Sequence, residues 1–170
     1  MNGLFEVVVV GGINCDIRGK SYEKIVPATS NPGSIKISPG GVGRNIAQNL
    51  SQLGIKTAIL GSVGKDSFGE YALKVLKDKG VDIEHVLLSQ KYTTGIYLAI
   101  INNNGEMDLG LSDMSIIKEI NIDYLKSKRH IIKNSKFIIC DTNIDRDSIL
   151  FLIEYAKLNH IPVCIETVSV

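Results

Sequence analysis

An asparagine and an aspartate, two positions apart, follow the first strand-like run of the sequence. Residues 5–10 are mostly valine and stop at a pair of glycines, after which come Asn14 and Asp16. Parallel sheets bind ligands beyond the carboxyl ends of their strands. An amide beside a carboxylate suits vicinal hydroxyls, since each hydroxyl both donates and accepts. The pair therefore predicts a sugar-like ligand, with a plain Asx turn as the alternative.

A glycine-rich run opens the first helical pattern. Gly40, Gly41 and Gly43 precede apolar residues at helical spacing, and Arg44 and Asn45 lie within the run. Glycine lets a backbone approach a ligand closely, and free N–H groups at the start of a helix favour anions or hydroxyl oxygens. The run lacks the last glycine of a dinucleotide fingerprint and the Gly-Lys-Ser/Thr of a P-loop. It predicts either part of a ligand cradle or a simple entry turn.

The cysteines and histidines predict neither a metal site nor a disulfide. Cys15, Cys140 and Cys164 are far apart and lack C-x-x-C spacing, which a zinc site would need. Cys140 and Cys164 fall in apolar strand-like runs, where a free cysteine acts as a small hydrophobe. Cys15 is predicted to lie in a turn.

Strand-like and helical patterns alternate along the chain. Continuous apolar runs are typical of strands buried on both faces. They occur at residues 5–10, 57–60, 137–140 and 162–165. Amphipathic helical patterns lie between them, with Asp66 and Asp145 or Asp147 as predicted N-caps. The alternation predicts an α/β fold in which a mostly parallel sheet carries helices on both faces.

Two segments break this rhythm, at about residues 20–38 and 93–111. The first alternates isoleucine with polar residues, and the second has the pattern of a hairpin with Asn104 and Gly105 at its turn. Both predict antiparallel strands that project from the main sheet as a small β-strand lid. No repeat or long linker divides the sequence, so residues 1–170 are expected to form one unit.

Composition excludes several classes of protein. Nineteen Lys+Arg against eighteen Asp+Glu give a net charge of +1, without the basic excess of a protein that binds nucleic acid or an anionic membrane. There is no run of about 18 apolar residues that would span a membrane. Glu6 interrupts the apolar start of the chain and no basic region precedes it. A secretory signal is therefore not expected, and a cytoplasmic protein is predicted.

Together these features resemble the ribokinase-like (PfkB) family of carbohydrate and nucleoside kinases. The first pattern of that family is matched at the expected separations by Gly40, Gly41, Gly43, Asn45, Ala47, Gly54 and Gly64. The strand-turn-helix element of the family follows at residues 63–69. The resemblance spans essentially the whole chain. It implies a ribokinase-like α/β domain whose lid is formed by the two segments that break the alternation.

Within the family, the sequence is most similar to the pseudouridine kinases. That similarity rests on five stretches, at residues 30–33, 40–50, 105–107, 113–114 and 141–144. It implies ATP-dependent phosphorylation of the primary ribose hydroxyl of pseudouridine, with ATP and Mg²⁺ as cofactors and a monovalent cation left open. It also implies a homodimer formed through the lid strands. Another sugar or nucleoside specificity, or a non-catalytic sugar-binding or interaction remnant, stays open.

The resemblance also assigns residues to the site. The implied substrate contacts are Asn14, Asp16, Gly40, Gly41, Asn45, Thr94 and Asn143, with Tyr97 and Met114 as weaker candidates for the lid and the base pocket. Glu166 falls where relatives hold the nucleotide phosphates and metal, so it is the implied cofactor contact. Arg44 is left between two roles, a phosphate contact and a cap on the site.

The catalytic part of the family pattern is not found in these 170 residues. Members of the family are nearly twice as long, and the other half carries an Asn-x-x-Glu element and a Gly-Ala-Gly-Asp run whose aspartate is the base. We therefore expect the chain to hold the N-terminal, substrate-binding half, with no catalytic residue and no metal ligand, and to be inactive alone. Uncovered strand edges and helix faces of such a half predict association or low solubility.

Overall fold

The computed structural model describes residues 5–168. The strands are β1 (Val7–Val10), β2 (Asn14–Ser21), β3 (Gly33–Gly40), β4 (Thr57–Leu60), β5 (Ser62–Gly64), β6 (Leu87–Ser89), β7 (Gly95–Ile101), β8 (Met107–Asp113), β9 (Phe137–Asp141) and β10 (Val163–Glu166). The helices are α1 (Val42–Gln52), α2 (Ser67–Asp78), α3 (Ile122–Ser127), α4 (Arg129–Lys133) and α5 (Arg146–Leu158), with a 3₁₀ turn at Ser115–Glu119. No helix in the described range is long and apolar enough to cross a membrane.

Four parallel strands form the main sheet, in the order β10-β9-β1-β4. β1 lies between β9 and β4, and its valines are buried on both sides. Alternate side chains of a strand point to opposite faces. Val8 accordingly packs in the core formed with α3, α4 and α5, and Val9 packs in the core formed with α1 and α2. The predicted α/β fold with helices on both faces is confirmed.

A second sheet of four strands has the order β3-β2-β7-β8. β2 and β7 are parallel and the other pairs are antiparallel. This sheet corresponds to the expected lid, but it begins earlier than about residue 20, because β2 starts at Asn14. The prediction that Cys15 lies in a turn is wrong, since Cys15 is the fully buried second residue of β2. β2 is paired along both edges, and these ladders outweigh the weak strand propensity of its Asn, Asp and Gly residues.

The N-caps of two long helices follow the predicted chemistry. Asp66 accepts a hydrogen bond from Gly69 N at 2.9 Å at the start of α2. Asp145 accepts one from Ser148 N at 2.9 Å at the start of α5, which resolves the choice between Asp145 and Asp147. Each carboxylate satisfies a backbone amide that helix geometry leaves without an intrahelical partner.

One threonine joins the second sheet to the main body. Thr94, just before β7, donates from its hydroxyl to Asp66 Oδ1 at 2.8 Å and from its backbone N–H to Asp66 Oδ2 at 2.7 Å. Its hydroxyl oxygen accepts from Gly64 N at 2.9 Å. Burial alone would raise the pKa of the Asp66 carboxyl, but the bonds donated by Thr94 and Gly69 outweigh burial and lower that pKa. The start of β7, the end of β5 and the start of α2 therefore meet at one point.

Helix α5 offers a matched test of the core. Leu152 is fully buried and Leu158 is 78% exposed on the same helix. We expect Leu152→Ala to lower the free energy of unfolding by about 2–5 kcal/mol, since it leaves a cavity in the core. Leu158→Ala should change it by less than about 0.5 kcal/mol. Urea denaturation measures both, and equal effects of the two substitutions would contradict this packing.

The Thr94–Asp66 contact predicts a pH-dependent stability loss. Thr94→Val should lower the free energy of unfolding at pH 7 by about 1–3 kcal/mol, because it leaves Gly64 N unpaired and removes one donor to Asp66. Folding lowers the pKa of this carboxyl, so its contribution to stability is complete at pH values above its unfolded-state pKa of about 3.9. The contribution is lost as the pH falls through the lower pKa of the folded state. The deficit of the variant should therefore shrink, but not vanish, below about pH 4.

Denaturant unfolding between pH 2.5 and 7 measures this deficit. Thr93→Val is the control, because Thr93 is the exposed neighbour of Thr94. A deficit that is independent of pH, or one of equal size in the control, would show that the Asp66 contact does not stabilise the fold.

Candidate functional site

A cavity of about 470 Å³ lies where the carboxyl end of β1 meets the second sheet. Its polar lining comprises Asn14, Asp16, Asn45, Ser112 and Asn143. Its apolar wall includes Ile13, Val42, Met114, Ile117 and the ring of Tyr97. Open parallel sheets bind ligands at this edge, and the volume falls within the range of about 300–1,000 Å³ that is typical of small-molecule sites.

Asn14 and Asp16 point to the same side of β2, as their spacing predicted. Asn14 Nδ2 donates a hydrogen bond to Asp16 Oδ1 at 2.8 Å. Asp16 is paired in register with Tyr97 on β7, and Tyr97 is paired with Ser112 on β8. Cross-strand neighbours share one face of a sheet. The side chains of Asp16, Tyr97 and Ser112 therefore form a row that lines the cavity.

Two glycines leave the space that this pair occupies. A Cβ on Gly40 would lie 2.4 Å from Asp16 Oδ1 and 2.6 Å from Asn14 Nδ2. Gly41 has a φ of +98°, and a Cβ there would lie 2.3 Å from the carbonyl oxygen of Gly12. Gly41 lines the cavity, whereas Gly40 lies behind the polar pair and outside the lining. Gly40 thus contributes space for the pair.

The amides at the start of α1 are largely bonded within the protein. Gly43 N donates to Asp141 Oδ2 at 2.8 Å, and Arg44 N donates to Gly12 O at 3.1 Å. Oxygens of the protein therefore already accept from the N–H groups of Gly43 and Arg44, so neither amide is free for a ligand. Asn45, by contrast, is exposed and lines the cavity.

Arg44 caps the end of β3 from inside the protein. Its guanidinium donates to Gly40 O at 3.1 Å, to Pro39 O at 2.5 Å and to Gln48 Oε1 at 2.9 Å. The side chain is 6% exposed, and this burial lowers its pKa. Arg44 is not among the residues that line the cavity, and its guanidinium is occupied by these three acceptors. Among the described residues that line the cavity, none is Lys or Arg, so the lining favours an uncharged ligand over a phosphate.

A buried aspartate, which belongs to the 141–144 stretch but was assigned no role in the site, lies beneath the cavity. Asp141, the last residue of β9, is fully buried, and its carboxylate accepts from Gly12 N, Gly43 N and Asn143 N at 2.8, 2.8 and 3.0 Å. A charged residue directly after the apolar run at 137–140 was the available signal, because buried carboxylates require partners. Asn143, two residues later, is exposed and lines the cavity.

Two of the assigned residues lie away from this cavity. The hydroxyl of Thr94 is used by Gly64 and Asp66, and Thr94 is not part of the lining. Glu166 is exposed at the end of β10, also outside the lining, and its backbone oxygen accepts from Thr142 N at 3.0 Å. Of the weaker candidates, Tyr97 and Met114 both line the cavity.

The buried cysteines are poor nucleophiles. Burial, followed by the charge of Asp16, raises the pKa of Cys15 to about 11. Burial, followed by the charge of Asp141, raises the pKa of Cys140 to about 12. Both side chains therefore stay protonated near neutral pH, and a thiolate is needed for nucleophilic attack or metal binding. This fits binding by hydroxyl, amide and carboxylate groups rather than covalent chemistry at sulfur.

One other group of side chains has the chemistry of metal ligands. Asp82, Glu84 and His85 bring one ligand atom each to within 4.8 Å of one another in the loop between α2 and β6. Exposed acidic groups commonly meet in this way without an ion. The group lies outside the cavity lining.

Known proteins resemble this chain in both sequence and fold. A family model described as pfkB family carbohydrate kinase matches residues 4–168. The pseudouridine kinase of Escherichia coli (strain K12) is 39% identical over 163 residues, which are 96% of this chain and 51% of that protein. The solved structure of a carbohydrate kinase from Agrobacterium tumefaciens matches with a TM-score of 0.90 and 32% identity, over 96% of this chain and 53% of that chain.

A more distant structure shares the fold. The ribokinase of Arabidopsis thaliana, complexed with ribose and ATP, matches with a TM-score of 0.86 and 20% identity, over 98% of this chain and 55% of that chain. The chain thus spans about half the length of the proteins it matches. The family model covers nearly all of it, including the glycine-rich run and the polar pair. The chain belongs to the pfkB family of carbohydrate kinases.

Proposed function

We propose that this chain is the nucleoside-binding part of a cytoplasmic kinase that transfers phosphate from ATP to the primary ribose hydroxyl of pseudouridine. In this proposal, residues 1–170 form one unit whose second sheet covers the substrate as a lid. The observation that carries it is the polar pair of Asn14 and Asp16 in a cavity at the carboxyl end of β1. The 39% identity to a pseudouridine kinase supports this choice of nucleoside.

The chemistry of the lining supports a ribose. A ribose hydroxyl needs both an acceptor and a donor. Asp16 offers carboxylate oxygens and Asn45 and Asn143 offer amides, all of which line the cavity. The ring of Tyr97 and the side chain of Met114 provide an apolar wall against which a planar base packs. A ligand with hydroxyls at one end and a flat uncharged base at the other fits these groups.

The nucleotide is assigned to a place outside the cavity. The described lining contains a carboxylate and no Lys or Arg, so it does not fit a triphosphate with Mg²⁺. Glu166, exposed at the end of β10, remains a predicted contact for that cofactor. The proposed work of this chain is therefore to bind and orient the nucleoside, and the catalytic base is not assigned to any of its residues.

Calorimetric titration tests the proposal directly. The chain should bind pseudouridine, and Asp16→Asn should weaken this binding about 10- to 100-fold, because a charged acceptor for hydroxyls is lost. Asp78→Asn is the matched control, since Asp78 is exposed on α2 and forms an ion pair with Lys74 on the same helix. The control should bind pseudouridine as the wild type does.

Other ligands in the same titration distinguish the alternatives. Uridine, guanosine and free ribose are titrated beside pseudouridine, and tighter binding of one of them would replace pseudouridine as the substrate. Ribose 5-phosphate should bind more weakly than ribose, because the described lining contains a carboxylate and no Lys or Arg. A chain that binds none of these ligands would contradict a nucleoside site and would favour the alternative of an interaction remnant.

We also propose that two copies pair through the outer face of the second sheet. Four exposed apolar side chains lie on this face: Ile35, Ile37, Leu109 and Leu111, with exposed fractions of 76%, 45%, 53% and 57%. The strand register places them in two cross-strand rows, which continue through Ile17 and Leu98 and through Gly19 and Ile100. Contiguous apolar patches of this kind mark association sites, and the twofold pairing of like surfaces is the commonest protein oligomer.

Light scattering tests this pairing. The wild-type chain should form a dimer, and Ile37→Lys should shift it towards the monomer, because the lysine charge would be buried in the interface. Leu53→Lys is the control, since Leu53 is 78% exposed after α1 and outside the apolar rows. A wild-type chain that remains monomeric at high concentration, or equal effects of the two substitutions, would contradict the proposed interface.

A further inference from the structure

We propose that Asp141 is the positioning residue of the nucleoside site: its single buried carboxylate sets the relative positions of the three chain segments that carry the ligand-binding side chains. This inference rests on the proposed function for its ligand. Its structural part concerns the protein alone and is tested separately.

Each segment is joined to the carboxylate through a backbone amide. Asp141 Oδ2 accepts from Gly12 N and from Gly43 N, both at 2.8 Å, and Oδ1 accepts from Asn143 N at 3.0 Å. The first amide precedes Asn14 and Asp16, the second lies two residues before Asn45, and the third is that of Asn143 itself. The groups expected to bind the ligand therefore all lie within four residues of an amide that is bonded to the same carboxylate.

The surrounding backbone is shaped to admit this carboxylate. A Cβ on Gly11 would lie 2.2 Å from Asp141 Oδ2, and a Cβ on Gly43 would lie 3.0 Å from the same atom. Gly12 differs, because the nearest atom to a Cβ there is Ile117 Cδ1 at 3.5 Å. Gly11 is thus required by the position of the carboxylate, and Gly43 is required first by the backbone of Gly11, which would lie 2.9 Å from a Cβ there. The close fit limits the three segments to one arrangement.

A carboxylate suits this position better than its amide. All three partners are N–H donors, and an ionised carboxylate only accepts. An asparagine has one oxygen and one donating NH₂, so it cannot accept from both sides of its side chain. The negative charge also lies at the start of α1, where the helix dipole favours it. α1 has no side-chain N-cap of its own, so Asp141 supplies that acceptor from β9.

Asp141 acts through other residues and does not touch the ligand. It is fully buried and is not part of the cavity lining. Among the described residues, its carboxylate oxygens are bonded to three backbone amides. Its effect on a ligand must therefore pass through the placement of Asn14, Asp16 and Asn143.

Asp141→Asn separates positioning from folding. The asparagine oxygen should keep the bonds from Gly12 N and Gly43 N, since two donors meet there, and its NH₂ then faces Asn143 N. Amide hydrogen exchange followed by NMR should show Gly12 and Gly43 still protected and Asn143 exchanging at least about tenfold faster. Asp141→Ala should lose protection at all three amides if it folds. Unchanged exchange at Asn143 in Asp141→Asn would overturn the inference, whatever the ligand.

Calorimetry with pseudouridine then measures the consequence for binding. Asp141→Asn should weaken pseudouridine binding about 10-fold or more while its circular dichroism stays that of the wild type. Asp145→Asn is the matched control, because it also replaces a carboxylate by an amide, but at the N-cap of α5. This variant should bind pseudouridine as the wild type does. Equal affinity of Asp141→Asn and wild type would reject the positioning role. Failure of the wild type to bind any nucleoside would instead reject the proposed function, and the exchange pattern would still decide the role of Asp141.

Discussion

The close approach of three chain turns around the Asp141 carboxylate is the constraint on which the rest of the structure depends. The turns after β1 and β9 and the start of α1 come so near that a Cβ on Gly11 would lie 2.2 Å from the carboxylate and a Cβ on Gly43 would lie 2.9 Å from the backbone of Gly11. Backbone amides brought this close would be costly to bury without an acceptor. One carboxylate provides it for all three, so the glycine-rich pattern of the sequence and the buried charge of β9 are two parts of a single arrangement.

The two faces of the second sheet differ in polarity because side chains alternate along its strands. Asp16, Tyr97 and Ser112 lie in one cross-strand row and face the cavity. The next row along the same strands contains Ile17 and Leu98 and points to the other side. Because successive residues of a strand alternate between faces, a polar face that lines the cavity and an apolar outer face arise from the same short strands.

The sequence predicted local features of the fold better than features that depend on distant parts of the chain. The run at residues 5–10, the helix that begins at Val42 and the Asn104-Gly105 turn were predicted well, because each depends on neighbours in sequence. The strand that begins at Asn14 was missed, since its ladders come from β3 and β7, far along the chain.

The site was predicted in the same uneven way. The common orientation of Asn14 and Asp16 follows from a spacing of two, and the placement of Asn143 follows from its position after a strand. The hydrogen bonds between Thr94 and Asp66, 28 residues apart, and between Asp141 and Gly12, 129 residues apart, depend on the folded chain alone.

The second sheet is attached to the main body at one end of its strands. The strand residues at that end are Asn14, Gly40, Gly95 and Asp113. Asp16 and Tyr97 lie two residues from this end. The part of the second sheet that lines the cavity is therefore the part whose position the main body fixes most directly.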